Sequence, residues 1–297
     1  MIIVSLFGGL GNQMFQYACG KSVASRLGVE LKLDVSLVQD RAERKNFTYR
    51  DYELGVFKIK EEIATIEEVR QYIPNLWNSK LYLKQLYKLK RFFNGNSFYN
   101  EKLKFIYNKD IEQVKDNTYL YGYFQTEIYF KTLRNELLQI FRIQQEIDLI
   151  NSSLISQMKS ENSISIHVRR GDYLNSPFEI LDIQNYYQKA IEFIQKEINS
   201  PVFYIFTNDY LWVEKNFELL NIKKTIVKIN SGNQSYLDMI LMSNCKHNIC
   251  ANSSFSWWGA WLNTNPSKIV IAPDRWFKNA EYVNSISDLL PKGWITI

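Results

Sequence analysis

The sequence predicts an α/β protein built from two successive Rossmann-like halves, on three observations. Its 297 residues exceed one small core and suit two domains of about 150 residues each. It opens as strand, glycine loop, helix, strand, which is the seed of a parallel sheet. From residue 163 onward, β-rich runs alternate with helical periodicity, the pattern of a nucleotide-binding α/β domain.

The elements follow in order. Ile2 to Leu6 is a short apolar strand closed by Gly8, Gly9 and Gly11. Asn12 to Leu27 carries helical spacing, with Met14, Phe15, Ala18, Val23 and Leu27 on one broad side, and Gly28 stops it. Glu30 to Leu33 is the next strand. Residues 35 to 118 are poorly patterned, apart from a helix near Ile63 to Tyr72 and a break at Pro74. Lys80 to Phe93 is amphipathic: Tyr82, Leu86, Leu89 and Phe93 share one face, while Lys80, Lys84, Lys88 and Arg91 share another. Tyr119 to Phe124 reads as a strand and Ile128 to Phe141 as a helix. The mixed stretch Gln144 to Glu161 is the candidate junction, giving domains 1–152 and 153–297. The second half then reads as strand Ser163 to Val168, helix Ile183 to Ile198, strand Val202 to Phe206 and strand Thr225 to Ile229. Helix Tyr236 to Ser243, strand His247 to Cys250, helix Ser254 to Leu262 and strand Ile269 to Ala272 complete it.

Composition narrows the function. Net charge is +5, which suits an anionic ligand and falls short of a nucleic-acid signature. Cys19, Cys245 and Cys250 are too few and too odd in number for a disulfide scaffold and point to a reducing compartment. His167 and His247 are the only histidines, which excludes a His-rich metal centre. No transmembrane span or basic leader is visible, so a cytoplasmic protein is expected. The Lys80 to Phe93 face suits either an anionic membrane surface or solvated lysines on an ordinary surface helix.

Four stretches carry chemistry. In Phe7-Gly8-Gly9-Leu10-Gly11-Asn12-Gln13, glycines between strand and helix let backbone N–H groups approach an anion, though a tight turn without ligand fits as well. Gly9, Gly11 and Asp34 also fit part of a dinucleotide fingerprint, but Met14 occupies its third glycine position. In His167-Val168-Arg169-Arg170-Gly171-Asp172-Tyr173, two adjacent arginines follow a strand. Guanidinium forks there would bind phosphate oxygens bidentately, or the charges would pair within the loop. Asn208 and Asp209 after the next strand are either turn formers or contacts to a base or ribose. In Asn252-Ser253-Ser254-Phe255-Ser256-Trp257-Trp258-Gly259-Ala260-Trp261, the serines cap a helix, hold a diphosphate, or do both. The three tryptophans read as core more readily than as a sugar platform.

Taken in this order, and together with Gly122-Tyr123-Phe124-Gln125-Thr126-Glu127, these stretches resemble the family 11 glycosyltransferases, which include bacterial α-1,2-fucosyltransferases. Thr207-Asn208-Asp209 departs from the family's more usual Ser-Asp-Asp. The resemblance implies a GT-B fold, two Rossmann-like domains facing a donor-binding cleft, with the acceptor side in the first domain. It implies GDP-fucose as donor, a galactoside-containing oligosaccharide or lipid-linked glycan as acceptor, inversion at the anomeric carbon, and no metal or other cofactor. Without a cation, Arg169 and Arg170 are the groups expected to neutralise the leaving diphosphate. Looser likeness to protein O-fucosyltransferases and α-1,6 enzymes implies Asn12 beside the donor phosphates or fucose, Asp238 at guanine, and Ser253 and Ser254 at the diphosphate. The donor set so implied is Gly8, Gly9, Gly11, Asn12, Gln13, His167, Arg169, Arg170, Asn208, Asp209, Asp238, Asn252, Ser253 and Ser254. Asp172 is the first choice for the base that deprotonates the acceptor, with an ion pair to an arginine as its competing role; Glu179 and Glu127 are the reserves. A nicotinamide-dependent oxidoreductase and a non-catalytic sugar-binding module are the competing classes.

Overall fold

The computed structural model describes residues 1–41, 50–73, 97–103, 105–174, 183–217, 222–278 and 288–297, without the Asp172 side chain. The expected features at Pro74, Lys80 to Phe93 and Glu179 lie outside the described residues. The chain forms two compact units, Met1–Gln145 and Glu146–Ile297. The boundary falls within the candidate junction and ahead of the 152/153 division read from the sequence.

The first unit holds a parallel sheet of strands β1 (Ile2–Ser5), β2 (Leu31–Asp34), β3 (Glu62–Ile63), β4 (Ser97–Asn100) and β5 (Thr118–Tyr121), in the order β3-β2-β1-β5-β4. β1 is buried along its length, as a central parallel strand covered on both faces must be. Helix α1 (Leu10–Leu27) follows it, with Gly9 as N-cap and Gly28 in the left-handed conformation at its end. The helix thus begins two residues before the expected Asn12. Helices α2 (Ser36–Gln39) and α3 (Ile66–Tyr72) come next, the latter opened by a capping box between Thr65 and Glu68.

The expected Ile128 to Phe141 helix is broken. Two 3-10 turns, Glu127–Tyr129 and Lys131–Leu133, precede helix α4 (Arg134–Ile140). Tyr129 and Phe130, adjacent in the chain, are both buried. One regular helix would turn the second of two neighbours about 100° from the first. The break at Phe130 lets both rings face inward.

The second unit opens with helix α5 (Leu149–Ser160), capped by the Asp148 carboxylate, which accepts from the Ile150 and Asn151 amides. This helix was missed. Its Leu149 is 88% exposed and its Ile150 66% exposed, so it shows no continuous apolar stripe. The sheet contains β6 (Ser163–Val168), β7 (Val202–Thr207), β8 (Lys223–Ile226), β9 (His247–Ile249), β10 (Val270–Ala272) and β11 (Ile295–Thr296). The order is β11-β10-β9-β6-β7-β8, and every described pairing is parallel. The expected strand at Thr225 to Ile229 is the strand Lys223–Ile226.

Helix α6 (Ile183–Glu197) buries Ile183, Tyr186, Tyr187, Ala190, Ile191 and Ile194, a stripe at helical spacing. Its buried tyrosines find polar partners at the strand ends. Tyr187 donates to the His167 carbonyl (2.6 Å) and Tyr186 to the Cys250 carbonyl (2.5 Å). Helices α7 (Tyr210–Phe217), α8 (Tyr236–Asn244) and α9 (Ser254–Leu262) complete the described unit.

Candidate active site: two crevices at the carboxyl ends of the sheets

In an open parallel sheet, ligands bind beyond the carboxyl ends of the strands where the strand order reverses. In the second unit that switch lies at β6, which has β7 on one side and β9 on the other. Arg169 and Arg170 leave β6 there, and Asn252, Ser253 and Ser254 follow β9.

The arginine loop is held by neighbours the sequence placed far away. The Asn208 side-chain oxygen accepts from the backbone N–H of Arg170 (3.0 Å) and of Gly171 (3.3 Å). A β-carbon on Gly171 would lie 2.7 Å from the Asn208 amide nitrogen, so a side chain there would displace Asn208. The Arg170 guanidinium bonds Asp209 (Nε to Oδ2, 3.2 Å) and lies 4.5 Å over the Trp212 ring. The same Asp209 accepts from the Trp212 amide and caps α7. Asn208 and Asp209 therefore brace the arginine loop. Arg169, half-buried, sits 5.6 Å from the Tyr173 ring. The Tyr173 hydroxyl reaches across the crevice to the Asn252 carbonyl at 3.5 Å.

On the β9 side, the Ser253 hydroxyl caps α9 by accepting from the Phe255 amide at 3.3 Å. Ser254 is the first helical residue, half-buried, so the N-terminus of a nine-residue helix follows β9 at the carboxyl end of the sheet. Asn252 is buried and donates to the Trp276 carbonyl at 2.9 Å. His167 is buried in β6, with its ring 5.7 Å from Phe255. Trp257, Trp258 and Trp261 are at most 1% exposed, which makes them core and not a sugar platform. Asp238 lies in the first turn of α8 and accepts from Asn230 at 2.8 Å. Burial pushes its carboxyl up to about 6, against the opposing pull of that hydrogen bond.

In the first unit the switch lies at β1, between β2 and β5. Gly8 has φ +75°, and a β-carbon there would meet the Asn12 side chain at 2.5 Å; both facts require glycine. The Asn12 oxygen accepts from the Gln125 amide at 2.7 Å, which ties the glycine loop to the Gly122–Glu127 stretch. That stretch is clasped in turn by Glu101. One carboxylate oxygen takes the Tyr123 and Phe124 amides (2.8 and 3.0 Å) and the other takes the Tyr129 hydroxyl (3.2 Å). Phe124 is held at φ +53°, uncommon for a bulky residue. Glu101→Ala strands two amides and is expected to cost about 1–3 kcal/mol, read from the denaturation midpoint.

Gln13 is fully buried. Its amide donates to the carbonyls of Gly8 and Asp51, both at 2.8 Å, and its oxygen accepts from the Glu53 amide at 2.9 Å. The Glu53 carboxylate lies at the glycine loop, its Oε2 3.9 Å from where a β-carbon on Gly9 would stand, and burial raises its carboxyl against the opposing pull of the Leu10 backbone N–H and the Arg50 charge. Asp34, the acidic residue of the dinucleotide alternative, is 3% exposed and accepts from the Tyr119 hydroxyl at 2.6 Å and the Ser36 amide at 2.9 Å, leaving it no path to a ribose. Glu127 opens a 3-10 turn and is half-buried.

The sequence profile of glycosyl transferase family 11 matches residues 1–297. The Escherichia coli O-antigen biosynthesis glycosyltransferase WbnK is 36% identical over 98% of this chain and 99% of its own length. The Escherichia coli alpha-1,2-colitosyltransferase is 33% identical over 100% of this chain and 99% of its own length. Among solved structures, the alpha-1,6-fucosyltransferase NodZ soaked with GDP-fucose superposes with a TM-score of 0.50 at 17% identity, covering 88% of this chain and 91% of that one; this likeness concerns the fold. Two successive Rossmann-like units, each with its own parallel sheet, are the architecture of a GT-B type glycosyltransferase. The chain belongs to glycosyl transferase family 11.

Proposed function

We propose that the protein moves L-fucose from GDP-fucose to the 2-hydroxyl of a galactose in a glycan acceptor, with inversion and without a metal ion. The observation that carries this reading is the braced arginine loop at the end of β6, beside the N-terminus of α9. Cleaving the bond from sugar to phosphate builds negative charge on the leaving diphosphate. We assign the stabilisation of that charge to Arg169, the α9 amides, Ser253 and Ser254, which follow β6 and β9 at the carboxyl end of the sheet. Arg170, held by Asp209 and Trp212, keeps the loop in shape and adds its field. Asp238, in the same unit, is the proposed acceptor for the N–H groups of guanine. None of the described helices is long and apolar enough to cross a membrane, and we place the reaction in the cytoplasm, where nucleotide sugars are available.

Colitose is the second reading of the donor sugar, favoured by the 33% identical colitosyltransferase. The deciding experiment measures turnover of GDP-fucose and of nucleotide-linked colitose against a panel of β-galactosides, with and without EDTA. Transfer of fucose that EDTA leaves within twofold is the expected result. Abolition by EDTA, or melting-point stabilisation by NAD in place of GDP, would refute the proposal.

A further inference from the structure

A carboxylate that reads a base must be held at one place and one angle, because hydrogen bonds weaken steeply off line. Asp238 stands in the first turn of α8, in the segment that leaves the carboxyl end of β8. It is half-buried. Among the described residues, Asn230 is the one donor to its carboxylate, from Nδ2 to Oδ1 at 2.8 Å.

Asn230 is 5% exposed and fully committed. Its second N–H goes to Asn151 Oδ1 at 3.0 Å, and its oxygen accepts from Asn151 Nδ2, also at 3.0 Å. Asn151, buried on α5, gives its other N–H to the Asp148 carboxylate at 2.7 Å. A side-chain amide has two N–H groups, so each asparagine has spent both. A carboxylate at each end of the row fixes both amides. Turning Asn230 over would face its oxygen to Asp238, and turning Asn151 over would face its oxygen to Asp148.

We propose that Asn230 is a positioning residue for the donor base: backed by Asn151 and Asp148, it aims the Asp238 carboxylate at the N–H groups of guanine. The inference rests on the transfer reaction proposed above, and every group in it belongs to the second unit.

Three features support the assignment. A carboxylate has about four lone-pair sites, so the Asn230 bond leaves room for two N–H groups of a base. A buried polar row that is fully paired fixes a single arrangement, which is what base recognition needs. Its place also fits. β6, β7 and β8 are neighbours in the sheet, and Arg169, Asp209 and Asn230 follow them in turn at their carboxyl ends. Burial pushes the Asp238 carboxyl up to about 6 while the Asn230 bond pulls against it, so the same bond helps to keep an acceptor ionised.

The test is a double-mutant cycle read by titration calorimetry, with GDP and inosine diphosphate as ligands. Inosine diphosphate lacks the 2-amino group of guanine. The parent is expected to prefer GDP about tenfold, the worth of one hydrogen bond to a charged acceptor. Asn230→Ala should cut that preference to about twofold or less, and should change nothing further in an Asp238→Ala background. A parental preference in Asn230→Ala overturns the inference. So does a loss of GDP affinity that adds in full to that of Asp238→Ala, the mark of a merely structural role. Should Asn230→Ala not fold, Asn151→Ala decides: it keeps the bond to Asp238 and removes its backing, and an unchanged preference there overturns the inference. A parent that binds no GDP refutes the proposed function. A parent that binds GDP and inosine diphosphate alike refutes the inference while the transfer reaction stands.

Discussion

Replacing Arg169 with alanine is expected to lower turnover about a hundredfold, equivalent to about 3 kcal/mol of barrier, the typical worth of one contact to a developing oxyanion. The reason is its position. Arg169 leaves the central strand β6 at the switch point, beside Tyr173 and across from the start of α9. The loop that carries it is braced through Arg170, Asn208 and Asp209, contacts that truncating Arg169 does not remove. Circular dichroism and melting should match the parent while the steady-state rate collapses. Arg169→Lys keeps the charge and loses the planar fork, so it should recover only part of the rate. A folded Arg169→Ala with parental turnover would sink the proposed chemistry of the second unit.

The largest effect on stability is expected at Trp258. Its ring is fully buried and meets Trp257 and Trp261 edge-on, with centroids 5.0 Å away in each case. Truncation to alanine removes that burial and two ring contacts and leaves a cavity. A cost of about 3–5 kcal/mol follows for a buried Trp→Ala change, a large share of a typical folding free energy. Trp258→Phe should cost much less. Equilibrium denaturation is the measurement, and a shift below about 1 kcal/mol would show that the tryptophan cluster is not the packing centre argued here. The damage should also reach function, because the same helix presents Ser253 and Ser254. GDP is expected to raise the melting temperature of Trp258→Ala less than that of the parent.

The parts of the fold that read clearly share a physical trait. β6 is a run of six buried residues, and α9 is announced by Ser253 at its cap, so local composition and tertiary role agree there. α5 hid because Asn151 and Met158 are its buried residues while Leu149 and Ile150 face out. β3 and β11 are two residues long, too short for any period to register. The site was legible in its motifs and illegible in its couplings. Arg169 and Arg170 stood out as paired charges after a strand. That Asp209 would hold Arg170, or that Gln125 would hold Asn12 from 113 residues away, is settled by sheet order, which no local pattern carries.

The division of the chain at 145/146 also bears on how the protein is made. Each unit is one continuous stretch of chain, and the strands of the first sheet are all present by Tyr121. Parallel sheets close slowly because each pairing waits on a long crossover. A ribosome that emits the first stretch before the second lets the glycine-loop half settle while its successor is still being translated. Two slow searches are then run one after the other, and half-built strands of the two sheets have less time to pair wrongly with each other.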